Sequence, residues 1–332
     1  MKSIIANKRS RNMLSVLCAV ALASASAALL ASAQQSTAKI VPQAPAVSTV
    51  DPKLFDTPQE AAQALVNAAE TFDVAALRTI FGRDGEDVAF SGEYAQDRKR
   101  AADFALQARE KMKVSVNRKS GDRAFMLVGN QDWPFPVPLV RKGNKWFFDG
   151  EAGRQELLYR RVGANELDAI AICDGYVDAQ IEYALQPRTG YDVNQYSQRI
   201  VSTPGKQDGL AWQDADGEWA GPIGMKIARA IQRGYTTGKA PYHGYFFKNL
   251  TGQGPAAPLG EMDFVIKGAM IGGFALVAAP AEYKVTGVHT FMVSHDGVVY
   301  EKDLGPNTLQ QFRTMQRFNP DRTWKPVTQH ED

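Results

Sequence analysis

Cysteine is scarce in this chain of 332 residues, which contains only two. Cys18 lies in an apolar N-terminal segment, so Cys173 is the one cysteine in the rest of the chain and cannot form an internal disulfide there. That part of the chain must therefore fold by burying apolar surface. Ile170, Cys173 and Val177 follow the spacing of one helix face, which predicts a buried and unreactive thiol.

The motifs of common catalytic and metal sites are also missing. There is no Gly-x-Ser-x-Gly elbow, and no pair of histidines has the spacing of a metal-binding motif. Asp214 and Asp216 alternate before Gly217 as in a cation-binding loop, but the third acid and the distal Glu of an EF-hand are lacking. We therefore expect no cofactor, and a solvent-exposed turn at Asp214 and Asp216 is favoured over a calcium site.

The first 33 residues have the three regions of a secretory signal peptide. A basic start without acidic residues is followed by an apolar run over Met13–Leu30 and by the small-x-small pattern Ala31-Ser32-Ala33. This order predicts export to the periplasm or medium, with cleavage after Ala33, and an uncleaved anchor is the alternative. The basic residues are Lys2, Lys8, Arg9 and Arg11.

The formal net charge of +2 belongs to that segment. Of the 38 Lys and Arg residues four lie there, so the remaining chain has 34 basic residues against 36 acidic ones. A nearly neutral chain has no overall attraction to nucleic acid. No later apolar run reaches the length of a bilayer span, so we expect no stable membrane insertion after cleavage.

The remaining chain divides into a linker and two α+β domains. Residues 34–56 contain three prolines among small polar residues and are expected to be a disordered linker. In residues 57–150, Thr57-Pro58-Gln59-Glu60 is a capping box, and Asp73 can cap a second helix. A polar helix follows, and then an antiparallel meander with strands predicted at Val114 and Val116, Phe125–Val128, Val137–Val140 and Trp146–Phe148.

Residues 151–327 are predicted to form a long helix packed on an antiparallel sheet, after a boundary near Asp149–Gly153. The apolar pattern predicts one helix over Gln155–Val162 and a longer one from Glu166 to about Leu185. Asp296-Gly297 is a typical hairpin turn between the last two strands. The predicted strands are Tyr242–Leu250, Asp263–Ile266, Phe274–Ala278, His289–Val293 and Val298–Lys302.

Three family resemblances accompany these patterns. The segment TPQEAAQALVNAAETFDVAALRTIFG resembles the opening of cystatin-like or NTF2-like domains. The segments GYFFKNL, GGFALVAAPAEYKVTG and HTFMVSHDGVVYEKDLG resemble the soluble headpiece of type IV pilins and pseudopilins, without the apolar half-helix that assembles pilins. From Phe55 to Val327 the chain resembles DUF2950, a family of uncharacterised exported bacterial proteins, through TPQEAAQALV, GNQDWPFPVPLV, RRVGANELDAI, YVDAQIEYA, STPGKQDGLAW, PYHGYFF, GAMIGGFALVA and SHDGVVYEKDLGP.

The DUF2950 resemblance implies no activity, so the candidate site rests on residue chemistry. The extended run Trp133–Pro138 and the turn-rich loop Ser202–Trp212 combine aromatics with proline or glycine, as binding loops do. We expect an exported, non-catalytic protein that binds an envelope protein or a cell-wall polymer. The alternative is a periplasmic hydrolase with carboxylates or a histidine between the domains. The candidate binding residues are Trp133, Phe135, Lys206, Asp208, Trp212, Tyr242 and His243.

Overall fold

A computed structural model describes residues 51–187, 193–223 and 241–328. Within these ranges helices and antiparallel sheets are combined, so the α+β prediction is confirmed. The predicted signal peptide, 1–33, and most of the predicted linker lie outside the described residues. In the described ranges, no helix has both the length and the apolar character that crossing a bilayer would need.

Four helices open the described chain, and two begin at the predicted caps. The Thr57 hydroxyl accepts the main-chain N–H of Glu60 at 3.1 Å, and the Asp73 carboxylate accepts that of Ala76 at 3.0 Å. Each bond pairs an amide that the first helical turn leaves without a partner. The helices are α1 (Pro58–Glu70), α2 (Val74–Phe81), α3 (Glu86–Ala89) and α4 (Tyr94–Glu110).

The predicted meander follows as a five-stranded sheet. The strands lie in the order β1-β2-β4-β5, and β3 also pairs with β2. The proline-containing β3 is only two residues long, because proline has no N–H to donate to a sheet. The strands are β1 (Met112–Val116), β2 (Arg123–Val128), β3 (Trp133–Pro134), β4 (Leu139–Lys142) and β5 (Lys145–Phe148).

One continuous helix, α5 (Gly150–Ala184), replaces the two helices predicted there. The predicted break before Glu166 is wrong. Asn165, which elsewhere can interrupt a helix by bonding to its own backbone, donates its side-chain amide to the Thr286 carbonyl at 2.8 Å. The first turn of α5 lies so close to the short 3-10 helix Arg83–Gly85, between α2 and α3, that a Cβ at Gly150 would be 2.5 Å from the Cα of Gly85.

A second five-stranded sheet, in the order β17-β15-β14-β13-β8, packs against α5. Its neighbouring strands are all antiparallel, and Asp296-Gly297 forms the predicted turn between β14 and β15. Lys248 of β8 reaches the carbonyls at the end of α6 (Thr308–Thr314) on the other face. The strands are β8 (Tyr245–Leu250), β13 (Ala275–Pro280), β14 (His289–Ser294), β15 (Tyr300–Asp303) and β17 (Lys325–Pro326).

Short strands in two pairs and one three-stranded sheet complete the described residues, and they correct one prediction. Asp263–Ile266 is not one strand, because the buried Phe264 leaves the ladder: its N–H donates to Thr251, and its carbonyl accepts from Ile271 and Gly272. The short strands are β6 (Trp212–Gln213), β7 (Trp219–Ala220), β9 (Gly252–Gln253), β10 (Met262–Asp263), β11 (Val265–Ile266), β12 (Ala269–Met270) and β16 (Arg317–Phe318).

Among the described residues, buried apolar side chains form two separate clusters. One lies within residues 55–148 and the other within 169–324. Cys173 is fully buried in the second, as predicted, and burial raises the pKa of its thiol further than the neighbouring Asp174 does. The division into two domains near Asp149–Gly153 stays a prediction.

Gln180 attaches the segment after residue 193 to α5. Its side chain is fully buried, accepts the Ser197 N–H at 2.7 Å and donates to the Ser197 carbonyl at 2.8 Å. The same amide group donates to the Tyr176 hydroxyl at 2.8 Å. Gln180 thus pairs the backbone of Ser197 as a neighbouring strand would.

Replacing Gln180 with Ala is expected to lower the free energy of unfolding by about 1–3 kcal/mol, because the buried Ser197 N–H would lose its partner and the Ser197 carbonyl would keep only the bond from Asn249. Urea unfolding followed by circular dichroism measures the change. Glu182→Ala, at an exposed position of the same helix, is the control and should change stability by less than about 0.5 kcal/mol. Equal stability of the two variants would contradict this role of Gln180.

Candidate functional site

A groove of about 1110 Å³ lies beside β8, the terminal strand of the second sheet. Phe247, Lys248 and Asn249 of β8 line one side. Residues 198–205 and the β6–β7 hairpin, 212–219, line the other. The groove therefore contacts a sheet edge, a loop and a hairpin that are far apart in sequence.

Two tryptophans connect the hairpin to this groove. Trp212 pairs with Ala220, and Trp219 pairs with Gln213 in the two-stranded ladder. Trp212 also packs against the second hydrophobic cluster, and a Cβ on Gly221 would lie 2.9 Å from its ring. Trp212 therefore anchors the hairpin while both indoles contribute aromatic surface to the groove.

Asp208 closes the loop that borders the groove. Its carboxylate accepts the Thr203 N–H at 2.7 Å and the Thr203 hydroxyl at 2.8 Å, and the Arg199 guanidinium lies 3.8 Å away. Ser202 accepts the Gly209 N–H at 2.8 Å across the same loop. Asp208 thus holds the loop in shape, and Lys206 is exposed at its tip.

The structure places the first two candidate residues elsewhere, on the first sheet. Phe135 is half-buried among aromatic rings, with centroids 5.2 Å from Phe104 and 6.1 Å from Phe148. Trp133 is 60% exposed, and its ring lies 5.4 Å from the Arg160 guanidinium. Neither residue lines the groove.

Tyr242 and His243 lie in a tight turn before β8. Tyr242 and Tyr245 exchange two main-chain hydrogen bonds of 2.9 Å, and φ is 45° at His243 and 76° at Gly244. Positive φ at both central residues is what a type I′ turn requires, so a β-strand does not begin at Tyr242 as predicted. Positive φ strains a non-glycine residue such as His243.

The strained turn holds His243 against α5. Its Nδ1 forms a short hydrogen bond with the Asp168 carboxylate, and both side chains are about half exposed, 47% and 48%. Burial, followed by the Asp168 charge, raises the pKa of Tyr242. His243 does not line the groove.

His289 has a carboxylate partner of its own, and His295 does not join His243 in one site. His289 lies 3.3 Å from Glu166, which also accepts the N–H groups of Val288 and His289. His243 precedes β8 and His295 follows β14, and both strands run antiparallel to β13. His243 and His295 therefore lie at opposite ends of the sheet.

Asp214 and Asp216 form a turn. The Asp214 carboxylate accepts the N–H groups of Asp216 and Glu218, both at 3.0 Å. In the described ranges, no three His, Cys, Asp or Glu side chains are grouped so that they could hold a metal ion. The geometry of this turn is explained by its own hydrogen bonds.

Four residues near these features were missed from the sequence: Arg199, Trp219, Asn249 and Asp168. Asn249 had a usable signal, because asparagine is uncommon in a strand interior. Trp219, two residues after Gly217, could have been paired with Trp212 across the hairpin. Asp168 carried no local signal, since its partner His243 is 75 positions away.

The contacts of the Asp208 carboxylate with Thr203 and Arg199 predict that the stability of the fold depends on pH. Burial of Asp208 opposes its ionisation, but the two Thr203 hydrogen bonds and Arg199 outweigh it, so its pKa is lowered. A carboxyl with a lowered pKa in the folded state stabilises the fold above the unfolded value, about 3.9, and loses this contribution as pH falls through the folded value. The stability difference between wild type and Asp208→Asn should therefore be largest at neutral pH and shrink below about pH 4.

Urea unfolding from neutral to acidic pH measures that difference. Asp216→Asn, which replaces an exposed carboxylate, is the matched control. If the difference in free energy of unfolding between wild type and Asp208→Asn stays constant through the acidic range, the negative charge of Asp208 does not stabilise the loop.

Comparison with known proteins identifies a family. No curated protein and no solved structure matches the chain. The resemblances to cystatin-like or NTF2-like domains and to pilin headpieces therefore stay predictions. The sequence model of one family, described as a protein of unknown function (DUF2950), matches residues 52–327, so the chain belongs to the DUF2950 family.

Proposed function

We propose that this protein is an exported, non-catalytic binding protein of the bacterial envelope, and that its ligand is an extended protein segment or cell-wall polymer held in the groove beside β8. The observation that carries the proposal is the groove itself. Its volume of about 1110 Å³ exceeds that of an ordinary small-molecule pocket, about 300–1,000 Å³. An extended ligand uses such a volume better than a compact one.

The lining of the groove supports recognition of a polymer. Trp212 and Trp219 offer large surfaces that bury apolar area at low conformational cost. Asn249 and Arg199 add a few polar groups that can orient a ligand. The hydrogen bonds between Thr203 and Asp208 keep the loop in one conformation, which reduces the conformational entropy lost when a ligand binds.

Export of the protein would determine the compartment in which it meets its ligand. The basic start, apolar run and small-x-small site place the protein in the periplasm or the medium under this proposal. Cell-wall polymers and envelope proteins are the partners available there. The mature chain is expected to start at Gln34.

Site-specific photocrosslinking in living cells tests the proposal. A photoreactive phenylalanine analogue replaces Trp219 in the groove or, as control, the exposed Tyr159 of α5. We expect one defined adduct from position 219 and none from position 159, on a chain whose N-terminus mass spectrometry assigns to Gln34. Identical products from both positions, or none from position 219, would overturn the groove as the binding site.

A second candidate function, hydrolysis, is favoured by the His243–Asp168 pair. A carboxylate on Nδ1 orients an imidazole so that its other nitrogen can act as a base. The pair lies outside the groove and is half exposed, whereas catalytic groups are usually held in a water-excluding cleft. This placement favours binding over catalysis.

We expect the purified protein not to cleave peptidoglycan or unfolded protein substrates, as measured by chromatography of released fragments. Two variants separate a real activity from a contaminant. His243→Asn keeps the turn, because Asn tolerates positive φ, and Asp168→Asn removes the orienting charge. Turnover by wild type that both variants lose would establish the hydrolase in place of the binding protein.

A further inference from the structure

We propose that one face of the first sheet binds peripherally to a lipid bilayer whose surface contains anionic headgroups. This face does not line the groove, and its partner would be a second one besides the ligand proposed above. The helices α1, α2 and α4 pack on one side of the sheet. The opposite side, called here the outer face, carries Arg123, Phe125, Leu127, Val140, Lys142 and Phe147.

The alternation of side chains along each strand assigns residues to the outer face. Every second residue of β2 from Ala124 to Val128 is buried in the apolar cluster within residues 55–148. Phe125 and Leu127 therefore point to the opposite side of the sheet. The register places Arg123 opposite Val140, and β5 alternates in the same way. The outer-face residues of neighbouring strands thus lie side by side.

The centre of the outer face is apolar. Phe125 is 40% exposed, and Val140 lies opposite Phe147 in the neighbouring strand. Among the described residues, neither of the two buried apolar clusters includes Phe125, Leu127, Val140 or Phe147. Contact with another apolar phase would therefore remove apolar surface from water at this face.

The charges of the first sheet have one sign. Its five strands contain five Lys or Arg residues and no Asp or Glu, although the whole chain has 38 basic and 36 acidic residues. Two of the five are engaged: Lys145 pairs with Asp56, and the Arg141 guanidinium lies 5.8 Å from the Trp146 ring. The other three, which form no ion pair within the described residues, are Lys113, Arg123 and Lys142.

The turn between β1 and β2 adds two more cations beside the outer face. The Asp122 carbonyl accepts the Arg141 N–H at 2.8 Å, so this turn lies next to the end of β4. Arg118 and Lys119 are exposed in the turn, where Asp122 is the single acidic residue. Basic side chains therefore border the apolar centre of the outer face.

An apolar centre with a basic border is complementary to the surface of an anionic bilayer. Each Lys or Arg near such a surface strengthens binding about fivefold, and apolar side chains are buried at the boundary between headgroups and acyl chains. Two other partners fit less well. A second copy of this face would bring like charges together. Single-stranded nucleic acid stacks its bases on aromatic rings, whereas Leu127 and Val140 beside Phe125 are aliphatic.

Sedimentation with lipid vesicles tests the proposal on the mature chain from Gln34, which lacks the apolar signal segment. We expect binding to phosphatidylcholine vesicles that contain about 30% phosphatidylglycerol, and none to pure phosphatidylcholine. Raising the ionic strength from about 0.05 M to about 0.5 M should weaken binding at least tenfold, because salt screens the attraction. Both measurements use the wild-type protein and so do not depend on the folding of a mutant.

Three variants locate the binding face, with circular dichroism as the check that each is folded. The double variant Arg123→Gln/Lys142→Gln should bind anionic vesicles about 25-fold more weakly, because two basic side chains of the outer face are lost. Arg98→Gln/Lys325→Gln removes the same two residue types from exposed positions on α4 and β17, and should change binding by less than about twofold. Phe125→Ser should weaken binding about fivefold without changing its salt dependence, because apolar contact and not charge is lost.

Several outcomes would overturn the proposal. Equal binding to neutral and anionic vesicles would exclude recognition of headgroup charge, and equal loss of binding in the two double variants would exclude the outer face. Polyglutamate and a single-stranded oligonucleotide stand for an acidic protein and a nucleic acid. If either binds through Arg123 and Lys142 while anionic vesicles do not, the bilayer is not the partner. Photocrosslinking at position 219 concerns the groove alone, so either proposal can fail without the other.

Discussion

The contacts of helix α5 organise the rest of the described structure. Its first turn lies against Gly85, which only a glycine at position 150 allows. Its middle holds the turns at one end of the second sheet through Asn165, Glu166 and Asp168. Because these contacts lie on one rigid element, the sheet and the turn before β8 have a fixed relation to each other.

The last turns of the same helix position the groove. Gln180 pairs the backbone of Ser197, and the Tyr183 hydroxyl donates to the Gln207 carbonyl at 2.7 Å. These three hydrogen bonds bring the loop that Asp208 closes towards β8. A groove wall made of a loop is therefore held by buried hydrogen bonds, which are costly to break. Such a wall suits recognition of a ligand that is itself extended and flexible.

The His243 turn and the Asn249 side chain are both unfavourable features of this structure, for different reasons. Positive φ at His243 costs free energy, and the Asp168 contact offsets part of it by tying the turn to α5. At Asn249 the feature is a buried side-chain oxygen that has no hydrogen-bond partner among the described residues. Both features therefore cost free energy of folding, and only the strain at His243 is offset by a contact among the described residues.

Local patterns determined the helix caps at Thr57 and Asp73, the strand periodicity and the hairpin at Asp296-Gly297. Each depends on residues a few positions apart, whose preferences are expressed before tertiary packing. Family membership also follows from the sequence, since motifs over most of the chain occur in order. The continuity of α5 could not be predicted, because the side chain of Asn165 is engaged by Thr286, more than a hundred residues away.

Only the tertiary structure decided which candidate residues share a surface. Seven aromatic and polar residues were predicted as one binding surface, but Trp133 and Phe135 lie on the first sheet, and His243 joins Asp168 outside the groove. Trp212 alone of the seven lines the groove, together with Asn249 and Trp219. The physical reason is that a groove forms where strand order and loop closure bring distant segments together, and neither is encoded in local spacing.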